Sequence, residues 1–416
     1  MGTRVRRRPQ RQKRLQGPHR ELALLAGGLV LAMSTWFSTS AVIPELRAVW
    51  LLNDGQAAWL VIVVQIGFIA GALFSMATGL ADRVPPRRLI LIGAIAAAAA
   101  NMLVVIGASF AISIVGRFLT GAALAFVYPP ALKSMSSWFK AGRGFALGVM
   151  LGAIALGSAI PHLVNAVGGL GWRQTLTIVS ILTVIGGLIA DRLCSDGPHM
   201  VSAGQIDFSQ IKAVLANRDF RLASAGYFGH MWELYAMWAW IAAFYGDVFE
   251  SSRVASLAAF AVVGVGAPGS AYAGYMSDKY SRNEAAALAM RWSASVAVVA
   301  GFLTDAPVVI VLGLGLIWGF WVVADSAQFS VIVTEVVDRR CVGTALTIQV
   351  AAGFTLTVFT IFLVPVIRDA FGWGWAFLML APGPVLGALA MRALRLGPRK
   401  LPQYDEPEPM YISPFF

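Results

Sequence analysis

The stretch Thr78-Gly79-Leu80-Ala81-Asp82-Arg83-Val84-Pro85-Pro86-Arg87-Arg88 is a short charged hinge between two long apolar runs. A second version follows about two hundred residues later: Gly274-Tyr275-Met276-Ser277-Asp278-Lys279-Tyr280-Ser281-Arg282-Asn283. Each reads as an apolar helix, an Asp followed by a base, further bases, and another apolar helix. Two such hinges imply a chain made of two similar halves whose hinges share one side of a membrane.

Composition supports that reading. The 416 residues are 58% hydrophobic and 13% charged, against roughly 25% charged in soluble domains. The apolar blocks run to about twenty residues, enough to cross a ~30 Å hydrocarbon core at 1.5 Å per residue. A β-barrel would instead show short alternating segments. The N-terminus is basic and then apolar from Glu21, but the apolar run to Val42 exceeds a signal-peptide core and is read as the first span.

The fold expected is an all-α membrane protein: twelve transmembrane helices in two pseudo-symmetric six-helix bundles. The spans fall near 22–45, 57–80, 88–108, 111–133, 144–168, 173–193, 220–246, 254–276, 285–303, 307–332, 342–367 and 372–394. The domains follow: a basic tail 1–21, a first bundle 22–193, a linker 194–219, a second bundle 220–394 and a tail 395–416. The net charge of +11 raises the question of nucleic acid, but its distribution answers it. Twenty-seven of the 32 bases lie in the tails and in alternate loops, four in the opposite loops, and one, Arg117, inside a span. This is the positive-inside pattern. It places both termini and both hinges in the cytoplasm, with the chain in the cell inner (plasma) membrane. Cys194 and Cys341 both fall at cytoplasmic helix ends, and no disulfide is implied. The tail from Pro402 reads as disordered.

The halves match beyond the hinge. Arg143-Gly144-Phe145-Ala146-Leu147 opens span 5 and Cys341-Val342-Gly343-Thr344-Ala345-Leu346 opens span 11. Gly171-Trp172 and Gly374-Trp375 stand near the starts of spans 6 and 12. A repeat on this scale marks duplicated transporter bundles with a site between them.

At this point the chain resembles the major facilitator superfamily over nearly all its length. That family's hinge motif is Gly-x-x-x-Asp-Arg/Lys-x-Gly-Arg-Arg/Lys, after spans 2 and 8. The second copy here fits at Gly274, Asp278, Lys279 and Arg282, with Ser281 in the inner glycine slot. The first departs: Thr78 takes the first glycine slot and Pro85-Pro86 replaces the inner glycine, while Asp82, Arg83, Arg87 and Arg88 remain. Arg117-Phe118-Leu119-Thr120-Gly121 matches the family's Arg-x-x-x-Gly of span 4, and Trp138 to Leu147 is similar to its 4–5 loop. The resemblance implies carriage of a small solute by alternating access, often driven by protons. It implies that Asp82 and Asp278 latch the cytoplasmic gate by capping helices or pairing with bases, and that Arg117 takes part in proton coupling. The drug/proton antiporter signature Gly-Pro-x-x-Gly-Gly is not met at Gly157-Ser158-Ala159-Ile160-Pro161. Span 11 likewise lacks the asparagine-containing signature of nitrate porters.

A charge deep in a bilayer costs at least about 2.5–3.5 kcal/mol and marks function by default. Of 21 acids only Glu233 and Asp325 lie deep in spans. Tyr227, His230 and Glu233 are spaced i, i+3, i+6, and Glu233 lies roughly 20 Å into the membrane at helical rise. Glu233, His230, Asp325 and Arg117 are therefore the proton-coupling candidates. The alternatives are a His–Glu lock on a neighbouring helix, an inner-gate role for Asp325, and an anion site or static pairing for Arg117. Trp318, Trp321, Asp325 and Gln328 form a stripe at helical spacing, and Ser34 to Ser40 is a polar patch in span 1. The cavity candidates are Trp36, Ser38, Tyr128, Tyr227, Trp321 and Gln328, with plain packing as the rival role. His162, after Pro161, reads as a packing or kink residue. Gly67/Gly71 and Gly148/Gly152 are small-xxx-small faces.

Other classes are disfavoured. The four histidines are not at metal-ligand spacing, and no phosphate-binding loop is present. No metal, cofactor or nucleic acid is expected; the partners are the lipid bilayer, a small-molecule substrate and H+, and the chain is read as a monomer. The function expected is secondary transport of a small solute, an organic anion among the candidates. Drug or metabolite efflux by proton antiport, and a transporter-like sensor without flux, are the rivals.

Overall fold

The computed structural model describes residues 17–139, 142–168, 170–200, 210–338 and 341–394, without the side chains of residues 81, 82 and 168. The basic residues Arg4 to Arg14, Lys140, Arg339, Arg340, the tail from 395 and the Asp82 carboxylate lie outside the described residues.

Among the described residues the structure is helical, without strands. Ten stretches are long and apolar enough to cross a membrane. They are α2 (Asp54–Thr78), α3 (Pro86–Gly107), α4 (Phe110–Ser136), α5 (Arg143–Val167), α6 (Trp172–Leu193), α8 (Ser252–Lys279), α9 (Arg282–Phe302), α10 (Val308–Val336), α11 (Val342–Phe371) and α12 (Trp373–Ala393). Two more stand where the first and seventh spans were expected. The first, α1 (Pro18–Ala32), has 15 residues and gives way to turns before a short helix at Ile43–Trp50. The other, α7 (Arg218–Val248), is long at 31 residues but rich in polar and aromatic side chains.

Several helices are broken where the sequence competes with the backbone. In α4 the break at 125–127 precedes Tyr128-Pro129-Pro130, and a proline cannot supply the helical N–H. In α10 helix ends at Val322 and restarts at Ser326, across Val323-Ala324-Asp325. Asp and Ser offer the chain local side-chain bonds that favour such interruptions.

The packing repeats six helices on. In the first half of the chain α1 packs on α5 and α6, α2 on α4, and α3 on α4 and α6; in the second, α7 packs on α11 and α12, α8 on α10, and α9 on α10 and α12. The halves meet through α5 on α8 and α2 on α11, which exchange under the same offset. Glycine permits both kinds of contact. A Cβ at Gly152 would stand 2.7 Å from the Ala267 carbonyl oxygen across the α5–α8 interface. Gly121 of α4 and Gly319 of α10 similarly abut the backbones of Val64 and Val262.

The described part of the linker is anchored. Glu21, almost wholly buried, accepts from the Ser195 N–H and hydroxyl, both at 2.9 Å. The Trp138 indole donates to the Ser195 carbonyl at 3.0 Å. Burial pushes the carboxyl of neighbouring Asp196 above its ordinary range, against the pull of Arg87 and with the help of Glu21.

Candidate functional site

Among the described residues the interior holds two polar clusters and a cavity. The first cluster surrounds Arg117 in α4, which is fully buried. The turns after α1 leave the Trp36 carbonyl without a helical partner and the Thr35 carbonyl with bonds from Ser38 alone, and Arg117 donates to both. Its Nη1 donates to Thr35 O at 2.8 Å, Ser38 Oγ at 3.0 Å and Asn101 Oδ1 at 3.1 Å. Its Nη2 donates to Trp36 O and its Nε to Leu60 O at 3.4 Å. Asn101 ties this hub to α6 through Ser180 Oγ at 3.0 Å and Leu176 O at 3.3 Å. Among the described residues no carboxylate stands within ion-pair distance of Arg117. Ser38 belongs to this hub.

The second cluster lies between α7, α9 and α10. Glu233 Oε1 accepts from Ser293 Oγ and from Trp318 Nε1, each at 2.7 Å. One turn back, His230 Nδ1 stands 2.7 Å from Asp325 Oδ1, and its Nε2 is 2.7 Å from Ser326 Oγ. All of these but Ser326 are buried. The break in α10 places Asp325 and Ser326 so that both reach one imidazole. It also ends the expected Trp318–Gln328 stripe. Trp318 turns to Glu233, while Trp321 packs outward against Trp292, which is half exposed. Gln328 is fully buried with neither amide atom hydrogen-bonded.

The cavity, of about 50 Å³, lies between the halves. Tyr128, Tyr227 and His230 line it with Tyr235, Trp238 and Phe354, and Ser326 and Ser330 are among its polar walls. Trp36 stands one layer behind, its ring 5.8 Å from Tyr235 and 4.9 Å from Phe68. Glu233 does not line it. At 100° per residue, a position six residues beyond Tyr227 has turned about 120° away around the helix. His230, between them, touches both the cavity and Asp325. Asn101, Ser293, Tyr235, Trp238 and Phe354 were not singled out in the sequence. Asn101 carries the one amide of an alanine-rich run, and 227, 231, 234 and 238 form a helical stripe.

Bridges between the halves stand at both ends. At the hinge end, Asp278 accepts from the Gly144 and Phe145 N–H groups at 3.1 and 2.8 Å, capping the N-terminus of α5. Gly274 packs on the Gly144 backbone, and the Thr347 hydroxyl donates to Met76 Sδ at 2.8 Å. Arg282 pairs with Glu335 at 2.9 Å, Lys279 lies 5.3 Å from the Tyr280 ring, and Arg87 reaches Asp196 at 4.0 Å. Arg83 and Arg88 are exposed. At the far end, Asp54 pairs with Arg368 at 3.2 Å, and Arg253 donates to the Ala166 carbonyl at 3.0 Å.

The Asp278 cap makes a direct prediction. Asp278→Asn removes the charge and one of two acceptors, a loss of about 1 kcal/mol. The Thr347→Cys thiol, in a Cys194→Ser, Cys341→Ser background, is expected to react with a water-soluble thiol reagent about fivefold faster in that variant. Unchanged labelling would remove the cap from the gate.

Comparison with known proteins completes the picture. The sequence model of the Major Facilitator Superfamily matches residues 24–324. The uncharacterized transporter YgaY of Escherichia coli strain K12 is 27% identical over 197 residues, 46% of this chain and 48% of that protein; its O157:H7 counterpart is 26% identical over the same length. The chain thus spans about half the length of the curated relatives it matches. A D-xylose–proton symporter crystal structure superposes with TM-score 0.70 at 18% identity, over 89% of this chain and 96% of that one. The proton:xylose symporter XylE bound to 6-bromo-6-deoxy-D-glucose superposes with TM-score 0.69 at 15% identity, over 90% and 95%. With the family model matched across residues 24–324 and the fold shared over about nine-tenths of its length, this chain is a multi-pass membrane protein and belongs to the major facilitator superfamily.

Proposed function

We propose that the chain is a proton-coupled secondary transporter that moves a small organic solute across the bacterial inner membrane by alternating access. In this reading the twelve long helices all cross the bilayer as two six-helix bundles, 22–193 and 220–394, joined by the 194–219 linker. Both hinges and termini face the cytoplasm, and one copy suffices. The solute occupies the cavity between the halves. The bridges at Asp278 and Met76–Thr347 open to one side, and those at Asp54–Arg368 and Arg253 to the other.

The observation that carries the proposal is His230, which faces the cavity on one edge and Asp325 on the other, one turn from Glu233. Glu233 has only neutral donors around it. An uncompensated buried charge is costly, so a proton rather than a counter-ion balances this one. An organic anion remains the favoured solute, with His230 as the base on the cavity wall, since the Arg117 guanidinium is occupied by backbone and amide oxygens. The aromatic walls support efflux of an apolar metabolite as the second reading.

The test is purified protein in liposomes containing a pH-sensitive dye. Adding acetate, lactate, benzoate or D-xylose outside should move protons with the transported solute and not with the others. Tight binding without solute or proton flux would make the chain a sensor and overturn the proposal.

A further inference from the structure

The walls of the cavity are unequal in donors and acceptors. Tyr128 of α4 and Tyr227 and Tyr235 of α7 line it. Among the described residues these three hydroxyls have no hydrogen-bond partner. The Trp238 indole also lines the cavity and its Nε1 is unpartnered. An indole N–H can only donate, and a buried donor left unpaired calls for an explanation. The fifth polar group, His230, is held on its far edge by Asp325.

Charged acceptors do not reach the walls: Asp325 faces His230 at 2.7 Å, and Glu233 accepts from Ser293 and Trp318. Neither carboxylate lines the cavity, so an ammonium group would find no counter-charge. For a sugar's hydroxyl protons only the tyrosine oxygens and Ser330 remain as acceptors, since Ser326 is already engaged by His230. Size restricts the solute further. At 10–15 Å³ per water the 50 Å³ cavity holds about four waters, whose liquid volume of about 120 Å³ suits roughly six non-hydrogen atoms.

We infer that the cavity binds a short monocarboxylate of lactate size, its oxygens held by tyrosine hydroxyls and the Trp238 indole rather than by arginine. The inference rests on the transport reading for its place in a cycle, but it is tested by binding alone. A carboxylate accepts several donors at once, so donors from α4 and α7 can close on it from both halves of the chain. This gives the solute a direct hold on the closed state.

The experiment is calorimetric titration of purified, detergent-solubilised protein with lactate, acetate, benzoate, D-xylose and tetramethylammonium. Lactate is expected to bind most tightly. Tyr227→Phe and Trp238→Phe should each weaken it about tenfold, the loss of one hydrogen bond to a charged group. Both variants should unfold within a few degrees of wild type, which separates lost contacts from lost fold. Tyr128→Phe, on another helix, gives an independent third measurement. D-xylose or tetramethylammonium binding more tightly than lactate overturns the inference on charge; benzoate doing so overturns it on size. Unchanged lactate affinity in all three variants overturns the donor assignment. Lactate binding without proton flux would remove the transport reading and leave this one standing. Proton-coupled flux of another solute, without lactate binding, would do the reverse.

Discussion

Glu233→Gln is expected to lower proton-driven solute uptake about 100-fold, near the upper end of coupling between two linked sites, while solute exchange at equal pH stays within about twofold of wild type. The substitution is nearly isosteric, and the Gln carbonyl can still accept from Ser293 and Trp318, which now bond one carboxylate oxygen. The packing of α7 against α9 and α10 is thereby kept, and the exchangeable proton is lost. Exchange requires the loaded carrier to open alternately to each side; net uptake also requires return of the empty carrier with its proton load changed. The two assays therefore separate coupling from packing. A static lock predicts that both fall together, or that neither changes. Trp318→Phe is the control: it removes a donor and leaves the carboxyl, so exchange and uptake should fall by similar factors. The measurement is paired uptake and counterflow in liposomes at matched protein content.

Much of this arrangement was legible from residue order, and the remainder was hidden for identifiable reasons. Apolar run length and the two hinges disclosed the helices, because bilayer thickness acts on each span separately. For Asp278 the resemblance left capping and pairing with a base both open, and its carboxylate caps α5. The first and seventh helices are less plain by hydropathy because they carry the polar interior: α1 stops at Ala32, and α7 holds Tyr227, His230 and Glu233. Helical periodicity assumes an unbroken helix, and there the stripe reading failed. Across 323–325 the chain turns, so Trp321 faces Trp292 while Asp325 reaches His230. The spacing of Tyr227, His230 and Glu233 suggested one face; the observed helix spreads them from the cavity to its rear wall, which makes His230 the link. Partners distant in sequence, such as Asn101 for Arg117 and Ser293 for Glu233, carried no local signal.

Arg117→Met tests the other deep charge. Met fills comparable volume and removes every donor. The Thr35 and Trp36 carbonyls, Asn101 Oδ1 and Ser38 Oγ then lose a partner inside the protein. Trp36 O is left unpaired at a cost of about 1–3 kcal/mol, while Thr35 O and Asn101 Oδ1 keep the Ser38 hydroxyl and add a smaller cost each, so the expected loss is about 3 kcal/mol. The thermal midpoint in detergent should fall by roughly 3–4 °C, with lower yield. Arg117→Lys, with three donors on a point charge and no planar fork, should recover part of that loss. Asn101→Ala removes one acceptor and the two bonds to α6, so its effect should be the smallest of the three. The ordering matters because a coupling role and a structural one predict different patterns. A coupling arginine would leave the midpoint of the Met variant near wild type and abolish proton-driven uptake. A structural arginine lowers stability and exchange together, because the carbonyl it holds belongs to Trp36, whose ring packs on Tyr235 and Phe354 at the cavity. Loosening that turn should also shift the Trp36 environment. In the surviving folded fraction, tryptophan emission should move to the red in Arg117→Met and far less in Arg117→Lys. Emission unchanged in both, at full stability, would return Arg117 to the coupling candidates. On the geometry, its guanidinium is bound to five oxygens and points at the broken end of α1, which makes it the fixed post against which the cavity's aromatic wall is built.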